Sequence, residues 1–318
     1  MLISILLFLV GLALLLGGGF ALVPGTVSIA RKAGIPARLI AAVIIAGATS
    51  APELLVSIDA ALSGNPDISW GNILGSNIAN ILLVLGLGLL VMPVMLGSRS
   101  DRLDMLFLTA ITLLVALILI MGGFDADWSD ILPGRLAPII LGVALILSLI
   151  IFLSMFSISD TEEEDTSDGP ANVLIALLYL LGGLAALIFG ADLMVDSAVL
   201  LATDYGISQA VIGVTIVAVG TSLPEITAVI ASMLSRRSDI ALGNVVGSNL
   251  FNLCIVLGAT AVTAPLPASP ALTSYILLFF VMSSLVLMAL CLRPLQVGKT
   301  TGGIFITAYA GFVFLQFF

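Results

Sequence analysis

The sequence predicts an all-α membrane protein: ten transmembrane helices in two inverted five-helix repeats, with helices 2 and 7 broken. Three observations carry this reading. The 318 residues are 60% hydrophobic and only 9% charged, with a mean hydropathy of +1.28, a composition that water-soluble domains do not show. A helical span needs about 20 apolar residues, which leaves room for roughly ten of them. The segment from Ala46 to Gly86 recurs without a gap from Ala218 to Gly258, with 19 of 41 positions identical.

Hydropathy punctuated by Gly, Pro and charge places the spans near 1–30, 36–62, 68–92, 103–122, 134–156, 171–202, 208–234, 240–263, 271–292 and 301–318. The first lacks a basic leader and is followed by Arg31 and Lys32, so it reads as a retained helix and not as a signal peptide. The second and seventh contain Pro52 and Pro224, which cannot donate to the carbonyls of Ala48 and Gly220, four residues back. The helix is therefore kinked or broken there, and Gly47 and Gly220 permit the backbone such a break requires. The third and eighth carry Gly71/Gly75 and Gly243/Gly247, small-residue pairs that allow close helix approach.

Nine of the ten basic residues fall in the loops after spans 1, 3, 5, 7 and 9: Arg31, Lys32, Arg38, Arg99, Arg102, Arg236, Arg237, Arg293 and Lys299. Cytoplasmic loops are enriched in Lys and Arg, so the chain is expected to be a multi-pass protein of the cell membrane with both termini outside. Only Arg135 falls on the other side. The expected organisation is a first repeat over 1–156, an acidic cytoplasmic linker over 157–170 and a second, inverted repeat over 171–318. The linker holds Asp160, Glu162, Glu163, Glu164, Asp165 and Asp168, a run of like charge that reads as solvated chain.

Composition also removes several chemistries. With no histidine, there is no Ser-His-Asp triad and no imidazole-ligated metal. Cys254 and Cys291 lie in apolar stretches without CxxC spacing and read as small buried hydrophobes. A net charge of −9 argues against nucleic acid. No enzymatic activity, cofactor or obligate protein partner is inferred, and the lipid bilayer is the expected surrounding.

The repeated residues are polar ones that lipid exposure would not select: Thr49/Thr221, Ser50/Ser222, Pro52/Pro224, Glu53/Glu225, Asn72/Asn244, Ser76/Ser248 and Asn80/Asn252. Inverted repeats with interrupted helices are the architecture of secondary transporters. Glu53 and Glu225 stand inside apolar spans, where a charge costs about 3 kcal/mol or more. No Lys or Arg is expected at their depth, so a bound cation or protons must neutralise them. Thr49 and Ser50 lie four and three residues before Glu53, on its helical face, and Thr221 and Ser222 do the same for Glu225. Asn72, Ser76 and Asn80 form a stripe at i, i+4, i+8, repeated by Asn244, Ser248 and Asn252. Carboxylate, amide, hydroxyl and carbonyl oxygens are the hard ligand set that Ca²⁺ takes, and Na⁺ suits it too; soft transition metals fit poorly.

The paired signatures GATSAPE with GNILGSNIAN, and GTSLPE with GNVVGSNLFN, resemble the Ca²⁺/cation antiporter superfamily, specifically the prokaryotic sodium/calcium exchangers, over essentially the whole chain. The resemblance implies ions held between helices 2, 3, 7 and 8, with helices 1 and 6 moving against them in alternating access. It implies that Glu53 and Glu225 are shared Ca²⁺/Na⁺ ligands. Thr49, Ser50, Ser76, Thr221, Ser222 and Ser248 would complete the sodium sites with the carbonyls of Ala46 and Ala218, and Asn80 and Asn252 would take the central position. Family members typically exchange three Na⁺ for one Ca²⁺, and many carry Asp where this chain has Asn252. The transported ions are thus expected to be Ca²⁺ and Na⁺. A Ca²⁺/H⁺ antiporter with Glu53 and Glu225 as proton carriers is the alternative. Asp59, Asp192 and Asp196 are read as structural or as lining the outer mouth, with direct ion ligation the other reading.

Overall fold

The computed structural model describes residues 2–124, 136–156, 172–204, 220, 222–269, 272 and 275–315. The acidic linker and Arg135 lie outside them. The described helices are α1 (Leu2–Ala33), α2 (Ala37–Thr49), α3 (Ala51–Leu62), α4 (Pro66–Val91), α5 (Arg99–Ile120), α6 (Leu136–Phe156), α7 (Val173–Asp204), α8 (Leu223–Leu234), α9 (Ser238–Thr263), α10 (Tyr275–Cys291) and α11 (Lys299–Phe314). Two short strands, β1 (Val94–Leu96) and β2 (Leu295–Val297), join them. Among the described residues, six helices are long and apolar enough to cross a membrane, and α2 with α3 makes a seventh span bent by 44°. These elements fall within a few residues of the expected spans wherever the chain is described.

The chain forms two compact units, each drawing on both repeats: 1–49 with 161–244, and 50–160 with 245–318. In the first unit, α1 and α7 run against each other along glycines. A Cβ on Gly11 would stand 2.8 Å from the carbonyl oxygen of Gly190, and one on Gly18 would stand 2.7 Å from that of Gly183. Gly11 and Gly183 are repeat mates, as are Gly18 and Gly190, so the contact is reciprocal. Side chains here would force the backbones apart. Leu15, Leu22, Leu180, Leu184 and Leu187 fill the seam, and Ala228 and Ala231 of α8 join the same core. Leu6, Leu9, Phe20, Leu174, Leu178 and Phe189 are exposed, as expected of a face turned toward lipid tails. Gly243 approaches the carbonyl of Arg38 closely, as its small-residue pair predicts, whereas a Cβ built on Gly71 or Gly75 would meet no described atom within 4 Å beyond its chain neighbours and its own helix backbone.

In the second unit, α3 and α4 form an antiparallel hairpin. Its turn has Gly64 in the left-handed region at φ +77°, with Asn65 N–H donating to Ala60 and Gly64 N–H to Ala61, a pattern that satisfies the last carbonyls of the helix. The turn after α8 repeats this bond for bond, with Arg237 donating to Ser232 and Arg236 to Met233. Arg236 adopts φ +57° where the first repeat has glycine, a conformation that costs a side-chain-bearing residue roughly 1 kcal/mol or more. Strand β1 pairs antiparallel with β2, Val94 opposite Val297. The matching segment after α9 pairs back onto the first repeat through a bridge between Gly123 and Pro267. Trp70 closes this end, donating from Nε1 to the carbonyl of Pro267 at 3.1 Å and stacking on Phe124. Ser98 and Asp101 form a reciprocal capping box that starts α5.

Candidate ion site at the broken helices

The helix break lies at Ser50 (φ −88°, ψ 6°), and in the second repeat Ser222 (φ −90°, ψ 2°) caps the start of α8. Both residues immediately precede a helix whose first turn holds the proline and the glutamate. These angles lie in the bridge region, sparsely populated but accessible to residues other than glycine, so the break needs no glycine-only backbone, contrary to the expectation for Gly47 and Gly220. Gly220 has another use: a Cβ there would collide with the Val195 side chain at 2.3 Å. Proline in the first turn fits because its missing N–H is one of the unpaired groups at a helix start. The glutamates then occupy the end of the helix that favours negative charge.

Glu53 and Glu225 are each only 1% exposed. No Lys or Arg occurs anywhere in α3, α4, α8 or α9. Ala46, Thr49, Ser50, Ser76, Asn80, Ser222, Ser248 and Asn252 are also buried. Ala218 and Thr221 lie outside the described residues.

In the first unit, the Thr49 hydroxyl donates to the carbonyl of Ala46 at 3.3 Å, so two of the expected sodium oxygens are adjacent. Ser222 and Glu225 start α8, which packs on α1 and α7. In the second unit, α3, which follows Ser50 and carries Glu53, packs against its hairpin partner α4, which carries Ser76 and Asn80. The α9 segment opened by Asn252 packs on both of these helices. That segment, Asn252–Val256, is π-helical, and so is its mate Asn80–Leu85. One-turn π segments recur at functional sites because they shift side chains off the regular helical register. No residue preference marks them, which is why the sequence does not show them.

Several of these buried oxygens have no hydrogen-bond partner: Ser50 Oγ, Glu53 Oε2, Ser248 Oγ and both amide atoms of Asn252. Buried polar atoms are ordinarily paired, and leaving one unpaired costs about 1–3 kcal/mol. Such oxygens are of the hard kind that Ca²⁺ takes as ligands. Among the described residues no group of three or more His, Cys, Asp or Glu could hold a metal. The arrangement instead offers isolated carboxylates among neutral oxygens.

One contact is not implied by the sequence motifs. The Asn72 amide donates to the backbone carbonyl of Glu53 at 3.2 Å and to the Ser57 hydroxyl at 2.9 Å. The available signal was Ser57 itself, four residues after Glu53 and so on its helical face. Asn77 and Asn249 spend their amides on their own helices, donating to Ile73 and Val245. Asp59, Asp192 and Asp196 are exposed.

Comparison with known proteins finds relatives along nearly the whole chain. The profile of the sodium/calcium exchanger protein family matches residues 3–158 and 175–318. A putative antiporter, CaxA of Alkalimonas amylolytica, is 36% identical over 100% of this chain and 99% of its own length. The sodium/calcium exchanger MaX1 of Methanosarcina acetivorans is 26% identical over 99% of both. A solved structure of the sodium-calcium exchanger NCX_Mj, soaked with Na⁺ and Ca²⁺, superposes with a TM-score of 0.82 at 32% identity. The match covers 97% of this chain and 96% of that one.

Proposed function

The chain belongs to the sodium/calcium exchanger family, and from that premise we propose how its own residues carry out the exchange. The fold is the ten-helix, two-repeat arrangement with broken helices 2 and 7, and the activity is secondary active exchange of Na⁺ for Ca²⁺ by alternating access.

The ions bind between spans 2, 3, 7 and 8. Glu53 and Glu225 are the charged ligands shared by Ca²⁺ and Na⁺. Thr49, Ser50, Ser76, Thr221, Ser222 and Ser248, with the carbonyls of Ala46 and Ala218, supply neutral oxygens to Na⁺, and Asn80 and Asn252 occupy the centre. The observation that supports this set most directly is that Ser50, Glu53, Ser248 and Asn252 are buried with unpartnered polar atoms. Two carboxylates carry charge −2, which one Ca²⁺ or two Na⁺ neutralise. Either load leaves the buried site uncharged, while an emptied site leaves two uncompensated negative charges in a low-dielectric span. Crossing empty is thereby penalised by several kcal/mol per ion, which couples movement of one ion to return of the other. Because Asn252 is an amide, a third Na⁺ would bind with no third carboxylate opposite it.

The loop charges support both termini outside, with the 157–170 linker cytoplasmic between repeats 1–156 and 171–318. Proton exchange through the same two glutamates is the second reading, supported by their burial on helices that carry no Lys or Arg. Both readings are tested by ⁴⁵Ca²⁺ flux in proteoliposomes. Uptake should follow an outward Na⁺ gradient and persist when the pH gradient is collapsed; uptake that follows the pH gradient and ignores Na⁺ would overturn the sodium reading.

A further inference from the structure

The two halves of the site carry the same residues but are fastened differently. In the first repeat the Asn72 amide is doubly engaged, on the Glu53 carbonyl and the Ser57 hydroxyl, and the Ser76 hydroxyl is engaged in turn on the Asn72 carbonyl. In the second repeat the mate of Ser57 is Val229, which has no hydroxyl. There Asn244, 1% exposed, has no hydrogen-bond partner for either Nδ2 or Oδ1.

We infer that Asn72 and Ser57 form a clamp that positions Glu53 for Ca²⁺, and that the second repeat lacks this clamp because Val229 replaces the serine. Asn72 reaches from α4 to the backbone of the residue that bears the carboxylate and to the side chain one turn further along α3. Two bonds from one amide fix both the rotation of α3 against α4 and its height along it. Ser76 belongs to the same chain of bonds, so the first-repeat half of the site is held as one piece. Ser57 and Asn72 act through Glu53 and are positioning residues. This inference rests on Glu53 being an ion ligand.

The test is equilibrium ⁴⁵Ca²⁺ binding to the purified full chain, alongside Na⁺-driven exchange in proteoliposomes and thermal unfolding in detergent. Ser57→Val removes the hydroxyl at a volume matched to that of Ser57→Thr and is expected to weaken Ca²⁺ binding about fivefold relative to it, the equivalent of one hydrogen bond. Ser57→Thr keeps the hydroxyl and should bind as the parent does, a rescue that a purely steric role would not give. Val229→Ser supplies the missing acceptor to Asn244 and is expected to tighten Ca²⁺ binding; it decides the matter alone if Ser57→Val does not accumulate. Unchanged affinity in Ser57→Val, failure of Ser57→Thr to rescue it, or unchanged affinity in Val229→Ser overturns the clamp. The two readings fail separately. A parent protein that binds Ca²⁺ but does not exchange it for Na⁺ removes the proposed function and leaves the clamp standing, because the binding assay involves no turnover.

Discussion

Replacing Glu53 by Gln changes one atom and one unit of charge at a position that is 1% exposed. The side chain keeps its shape and much of its hydrogen-bonding capacity, so packing around α3 should survive. What changes is the electrostatic balance: in the proposed ligand set two carboxylates neutralise Ca²⁺, and a single Glu225 would leave a net charge of +1. Neither α3, α4, α8 nor α9 contains a Lys or Arg, so no compensating rearrangement of protein cations is available on these helices. Leaving one buried charge uncompensated costs about 3–5 kcal/mol. At about 1.4 kcal/mol per decade, that predicts a loss of Ca²⁺ affinity between roughly 100-fold and a few thousand-fold. Ca²⁺ half-saturation would be measured from the initial rate of Na⁺-driven ⁴⁵Ca²⁺ uptake in proteoliposomes, normalised to inserted protein. A Glu53→Gln protein with half-saturation within threefold of the parent would refute the electrostatic argument and remove Glu53 from the ligand set.

Other substitutions probe other parts of the reasoning. Glu225→Gln should abolish or severely reduce exchange, whereas Asp165→Asn in the acidic linker should leave the flux assay unchanged. Gly18→Leu puts a side chain where a Cβ alone would meet the Gly183 carbonyl oxygen at 2.7 Å; such overpacking costs about 1–3 kcal/mol or more and should lower the unfolding temperature in detergent. Trp70→Phe keeps the ring but loses the bond to the Pro267 carbonyl, worth about 1 kcal/mol, and should lower thermal stability slightly without changing Ca²⁺ half-saturation. Asn252→Asp adds a third buried acid among the site residues. It should make exchange pH-dependent, returning toward the parent's rate as the new carboxyl protonates, in a comparison of flux at several pH values with the parent.

Much of the site is legible in the residues themselves. The 172-residue offset aligns polar residues that lipid would not retain, and Pro52 and Pro224 announce the breaks because proline cannot continue the backbone ladder. Positions Ser76, Asn80, Ser248 and Asn252 follow from helical periodicity. Ser50 and Ser222, which start the helices that carry the glutamates, have negative φ and need no glycine, while Gly220 is set against the Val195 side chain. The π-helical segments at Asn80 and Asn252 are not legible, since a shifted hydrogen-bond register leaves no compositional trace. Nor is the clamp on Glu53: Asn72 and Ser57 are 15 residues apart on different helices, and only the hairpin brings them together.

The sequence alone therefore determined what is local or repeated: the membrane environment, the spans, their breaks, the two glutamates and the oxygen-bearing residues around them. These follow from hydropathy, proline geometry and a duplication that preserved chemistry. Tertiary structure decided which backbones touch, as where α1 meets α7 at Gly11, Gly18, Gly183 and Gly190, and which of two identical asparagines is fastened. Asn72 and Asn244 are the same residue in the same motif, but one meets Ser57 and the other belongs to a repeat with Val229. A side chain's role is set by the partners that packing brings to it, and those partners come from segments distant in the chain.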